Sequence, residues 1–256
     1  MTAHLVARGL TAIGASPVLS NAIEEVSDVV GAARSVVVST AQIDSQKREL
    51  LKTAASLARV QNKPWVLDPV GAGLSQFRLD AVRELIDLKP LIIKGNAAEI
   101  AAICGVLDGK QHGVDGACGN DAVEVARVAG EVGLASPTCV VIISGKHDVI
   151  TDGTEITRIA NGHEMLGSVV GSGCLLAGIV GALLSVAGST SLMHVALGAS
   201  GVLSACAEKG MMGWPGGQKM PPGPARLECQ VIDGFYAFST TPSGRTILTE
   251  RMEVLV

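Results

Sequence analysis

The run Val169–Ile179, VVGSGCLLAGI, decides how this chain is to be read. β-Branched residues lead into Gly171-Ser172-Gly173-Cys174. An apolar helical stretch, CLLAGIVGALLSV, follows at once and puts Cys174 at its first helical position. Glycines at a helix entrance let the backbone turn tightly and gather several unpaired N–H groups at one point. With the positive end of the helix dipole behind them, these donors form a site for an oxyanion, phosphate above all. A tight turn with no ligand would use the same glycines. The remainder of the chain has to separate the two readings.

Upstream, buried strands alternate with helices. SVVVST (35–40), WVLDPVGAG (65–73), LIIKGNAAEI (91–100) and TCVVIIS (138–144) begin as unbroken apolar runs, the pattern of parallel strands covered on both faces. Helices are expected over 1–13, 21–31, 44–60, 79–88, 120–133, 190–208 and 226–238, with Asp44 or Ser45 capping the third. DVITDG and TEITRIAN form an antiparallel hairpin around Asp152-Gly153, placed at the edge of the sheet. The segments 105–119 and 210–224 read as loops, and 239–256 as a loosely held polar tail. No repeat or linker divides residues 1–256, so a single α/β domain is expected, three-layered with a mainly parallel central sheet.

Composition agrees. Hydrophobic residues make up 48% of the 256 and aromatic ones 2%, as in a sheet wrapped by Ala-rich helices. The formal charge of −4 without a basic cluster argues against nucleic-acid and anionic-membrane partners. The six cysteines, at 104, 118, 139, 174, 206 and 229, show no C-x-x-C and no metal spacing with histidine. They are expected to be free thiols in a reducing compartment, the cytoplasm. The longest apolar stretch, Cys174–Gly188, is too short to span a bilayer.

Strand ends carry the chemistry. Asp68 closes one strand before a Gly-rich turn, where open α/β sheets bind ligands; it could also simply cap that turn. Lys94 ends another, and Asn96 and Glu99 stand three apart, as in a capping box that can coexist with a ligand role. With Ser144 and the Gly171–Cys174 turn, these residues provide carboxylates for a divalent cation, an ammonium for phosphate charge and amides for a transferring phosphoryl group. There is no G-x-x-x-x-G-K-[ST], G-x-S-x-G or G-x-G-x-x-G.

The set GASPV (14–18), LDPVGAG (67–73), IKGNAAEI (93–100), ISGKHDVITDG (143–153), NGH (161–163) and VVGSGCLLAG (169–178) resembles the hydroxyethylthiazole kinase family of the ribokinase-like superfold. The resemblance implies ATP-dependent, magnesium-assisted phosphorylation of the hydroxyethyl group of 4-methyl-5-(2-hydroxyethyl)thiazole, in thiazole salvage for thiamine diphosphate. It implies a homotrimer with sites at subunit contacts. It makes Lys94 and Ser144 ATP-binding, Leu19 and Gly171 thiazole-binding, and Asp68 and Glu99 the acidic residues near metal and phosphates. Cys174 stands where many relatives carry a catalytic Asp; a helix N-terminus is expected to lower its pKa, and it either removes the hydroxyl proton or orients it. Against the family pattern, Lys94 replaces Arg, Ser144 and Ser172 replace Thr, Leu19 replaces Met, and Lys146 replaces Glu. The family's N-terminal strand and His-Asn-rich thiazole segment would lie before Met1. Another small-alcohol kinase of this superfold, or an inactive ligand-binding homologue, are the alternatives.

Overall fold

A computed structural model describes residues 2–106, 121–212, 223–241 and 252–255. The expected loop over 105–119, Cys118 included, the loop over 210–224 and much of the tail fall largely outside these residues. In chain order the helices are α1 (Thr2–Ala12), α2 (Val26–Ala32), α3 (Ser45–Val60), α4 (Gln76–Ile86), α5 (Ala97–Cys104), α6 (Ala122–Glu131), α7 (Ser172–Leu184), α8 (Leu192–Met212) and α9 (Pro224–Thr240). The strands are β1 (Val36–Ser39), β2 (Trp65–Asp68), β3 (Ile92–Asn96), β4 (Val140–Ser144), β5 (Asp148–Thr151), β6 (Ile156–Ile159) and β7 (Met252–Leu255).

The strands lie in one sheet in sequence order. β1 to β4 pair in parallel, with Ser39 opposite Asp68 and Asn96 opposite Ser144. β5 turns back on β4 and pairs with β6, as the Asp152-Gly153 turn predicts. The tail departs from expectation: α9 runs on to Thr240, and β7 pairs antiparallel with β6. An open β6 edge carries unsatisfied backbone groups, so a nearby extended segment gains hydrogen bonds by docking there.

Alternation along the strands splits the core in two. Val66, Ile92, Val140, Ile142, Ile150 and Ile159 face α7, α8 and α9; Leu67, Ile93, Val141, Ile143 and Val149 face α3, α5 and α6. The three crossovers among β1–β4 all pass over the second face, leaving the first for α1 and α7–α9. Helices α1 and α9 meet there. A Cβ on Gly9 of α1 would stand 2.5 Å from Leu175 of α7 and 3.4 Å from Phe235 of α9, so a larger residue there would force the buried Leu175 to shift.

The Gly171 turn differs from the sequence reading in one respect. Helix α7 starts at Ser172 with Gly171 as its N-cap, so Cys174 is the third helical residue and not the first. Gly171 takes the left-handed conformation, φ 95°, and a Cβ there would strike Thr2 of α1. The whole turn is thus made at one residue, and the chain is helical immediately after it. A 3₁₀ turn, Glu164–Ser168, leads into it and is capped by His163.

Candidate active site

Period-2 alternation explains why the strand-end residues converge. Asp68 lies two residues beyond Val66, Lys94 two beyond Ile92, and Ser144 two beyond Ile142, so all three emerge on the α7 face. There they line, with Gly171, Ser172, Gly173 and Cys174, a cavity of about 240 Å³. Asn96, Glu99, Lys146, Asp148 and His163 are among its further polar lining residues.

Helix geometry leaves the first-turn amides of Gly173 and Cys174 without a carbonyl inside α7. The Lys94 ammonium sits against this turn, 2.6 Å from where a Cβ of Gly173 would stand. Lys94 is buried, and among the described residues it forms no ion pair. A buried ammonium beside first-turn amides favours an incoming anion, which can take hydrogen bonds from both at once.

The carboxylates divide the work. Asp68, 1% exposed, accepts the Ser39 hydroxyl on Oδ2 at 2.8 Å. Glu99 receives the Gly71 amide on Oε1 at 2.7 Å and the Asn96 amide on Oε2 at 2.8 Å, while Asn96 accepts the Glu99 amide at 2.9 Å. The capping box is therefore present. The same side chain also ties the loop after β2 to the start of α5. Burial pushes the Glu99 carboxyl up to about 7; the Lys94 charge and the two amides oppose the shift. Asp148, buried at the start of β5, accepts the Gly145 amide at 3.1 Å, and burial raises its pKa.

Cys174 is partly buried beside Asp68 and Ser39. Burial, and after it the Asp68 carboxylate, push the thiol up to about 12, against the pull of Lys94 and Ser39. The expected lowering by the helix N-terminus is reversed: desolvation in a pocket that already holds a carboxylate outweighs half a dipole charge. At neutral pH the group is a thiol.

The predicted residues are not all in one place. Ser144 faces the cavity and donates to the Gly95 carbonyl at 3.3 Å. Leu19 stands away from the cavity, 51% exposed, between Val18 and the half-exposed Ile23. Sequence reasoning does not single out Asp148 and Ser39: one is an acid opening β5, inside the 143–153 motif, and the other a hydroxyl in register with Asp68. His163 spends Nδ1 on the Met165 amide at 3.2 Å, leaving Nε2 as the ring's remaining polar atom at the cavity wall. Among the described residues no three His, Cys, Asp or Glu side chains gather as a metal cage, and no helix is long and apolar enough to cross a membrane.

The model of the hydroxyethylthiazole kinase family matches residues 1–213. A hydroxyethylthiazole kinase of Arabidopsis thaliana is 35% identical over 238 residues, covering 93% of this chain and 82% of that protein. One of Pyrococcus furiosus is 39% identical over 185 residues, 72% of this chain and 68% of that protein. A solved hydroxyethylthiazole kinase structure from Pyrococcus horikoshii superposes with a TM-score of 0.79 at 28% identity, covering 98% of this chain and 89% of that one. The pyridoxal kinase of Staphylococcus aureus, at 16% identity and a TM-score of 0.60, shares the fold.

Proposed function

Because the chain belongs to the hydroxyethylthiazole kinase family, we propose that it transfers the γ-phosphoryl group of ATP to the hydroxyl of 4-methyl-5-(2-hydroxyethyl)thiazole. The observation that carries this reading is the buried Lys94 ammonium set against the first turn of α7, with Asp68 and Cys174 alongside. Lys94, Ser144 and the Gly173 and Cys174 amides bind the nucleotide phosphates, and Gly171 shapes the turn that admits the alcohol.

The alcohol oxygen attacks the γ-phosphorus, the bond to the ADP oxygen breaks, and the hydroxyl proton passes to Asp68. Cys174, a thiol at working pH, orients the hydroxyl and is not its base. Little bond-making is asked of the protein in such a transfer; position and charge supply the rate. Magnesium carried in with the nucleotide would be held near Asp68 and Glu99, whose carboxyl groups suit a hard cation. It would neutralise phosphate charge there. Both Glu99 oxygens already hold backbone amides, so this side chain serves first to fix the loops.

Leu19 supports a homotrimer. An apolar, half-exposed side chain away from the chain's own cavity suits a thiazole contact supplied across a subunit boundary. Purified protein with ATP and magnesium should release ADP only when the thiazole is added, Asp68→Asn should slow that release by about 10²–10⁴-fold, and light scattering should give three chains. Absence of thiazole-dependent ADP from a folded sample would refute the assignment.

A further inference from the structure

We infer that Arg78 is a positioning residue that holds Asp68 in its working place; the inference rests on the reading of Asp68 as the proton acceptor. Arg78 projects from the first turn of α4, and its Nη1 donates to the Thr40 carbonyl at 3.0 Å and the Val70 carbonyl at 2.9 Å. Thr40 directly follows Ser39, and Val70 lies two residues beyond Asp68. One guanidinium nitrogen thus binds the loop after β1 to the loop after β2, immediately beyond the hydrogen-bonded pair Ser39–Asp68.

Three further contacts tighten the same junction. The Thr40 amide donates to the Asp68 carbonyl at 3.0 Å, and its hydroxyl to the Val70 carbonyl at 3.1 Å. Lys47 donates to the Ala41 carbonyl at 2.5 Å, so consecutive carbonyls of the β1–α3 loop each face a cation. Gly71, at φ 70°, makes room: a Cβ there would lie 3.4 Å from Arg78 Nη1 and 2.7 Å from Leu74.

Arginines in a fold usually meet a carboxylate. Among the described residues Arg78 forms no ion pair, and the hydrogen bonds of its guanidinium go to the main-chain carbonyls of Thr40 and Val70, the latter lining the cavity. A cation kept on two loop carbonyls fixes backbone position. A carboxylate displaced by a fraction of an ångström from an attacking hydroxyl loses much of its rate. Arg78 therefore acts on turnover through Asp68 and touches neither substrate.

Steady-state kinetics of Arg78→Met, Arg78→Lys, Asp68→Asn and the Asp68→Asn/Arg78→Met double variant test this. Arg78→Met should lower kcat by about tenfold or more, with both KM values within about twofold. Arg78→Lys, which keeps a cation able to reach a carbonyl, should recover part of the loss and carries the test alone if the Met variant does not fold. The double variant should be no slower than Asp68→Asn, since a residue that only positions Asp68 has nothing left to position. Wild-type kcat in Arg78→Met, or losses that multiply in the double variant, overturns the inference while leaving Asp68 as acceptor. Full activity in Asp68→Asn removes both.

Discussion

The Lys94 ammonium occupies the space that a side chain on Gly173 would need, 2.6 Å from the ideal Cβ. The glycine in this turn is thus a matter of electrostatics as much as of backbone freedom. Since the obstructing atom is the tip of a flexible chain, Gly173→Ala should fold with a melting temperature close to wild type. Its ammonium would be pushed off the phosphate turn, and turnover should fall by about 10²-fold. Loss of activity together with a large drop in melting temperature would contradict this division.

Glu99 gives the stability a pH dependence. Its carboxyl lies at about 7 in the fold against 4.5 for a free side chain. Between these values the folded state binds the proton more tightly than the unfolded one, so this residue's contribution falls as pH rises from about 4.5 to 7 and is flat above that. The difference amounts to about 3 kcal/mol. Urea unfolding at pH 5 and pH 7.5 should show a larger decrease for wild type than for Glu99→Gln. Equal decreases in both would rule the group out as the origin.

Cys174 should be slow to alkylate. A thiol raised from 9.0 to about 12 holds about a thousandfold less thiolate at neutral pH. Mass spectrometry after a short iodoacetamide pulse at pH 7.5 should find Cys229, on the exposed side of α9, modified well before Cys174. Asp68→Asn should speed modification of Cys174, because the carboxylate is the principal charge raising it. Rapid labelling of Cys174 in the wild type would restore it as a candidate base.

The phosphate helix is also fitted to the sheet by a glycine. A Cβ on Gly181 of α7 would collide with Val37 of β1, so Gly181→Ala should cost about 1–3 kcal/mol by overpacking. Val37→Ala in the same chain should return part of it, read from denaturant midpoints. Two additive losses would show that this contact does not set the spacing.

Much of the architecture can be read from the sequence because unbroken runs such as CVVIIS require burial on both faces, and Asp152-Gly153 requires a turn. Asp68, Lys94 and Ser144 are legible as facing one way because their spacing from Val66, Ile92 and Ile142 is two; Asp68 and Ser144 close their strands as expected, whereas Lys94 sits in the middle of β3, which runs on to Asn96. The pKa of Cys174 is not legible. A helix N-terminus can be seen in the letters, whereas the carboxylate and the desolvation that outweigh it arrive from a strand more than a hundred residues away. Arg78 is hidden for a related reason: its partners are backbone carbonyls, which every residue carries. β7 escaped because its pairing partner, β6, supplies the order that its own polar surroundings do not advertise.

The meeting of α1, α7 and α9 around Gly9 has a consequence for how the protein comes into being. Strands β1 to β4 and their crossovers join near neighbours in sequence, and can form while the rest of the chain is still emerging from the ribosome. The helix that carries the Gly171 turn is seated against α1, made before the sheet, and meets α9, made long after it, around Gly9. Nucleotide affinity should therefore arise late in synthesis, after residue 240 has cleared the exit tunnel. Until then a half-made chain has the loops of a kinase and no grip on ATP.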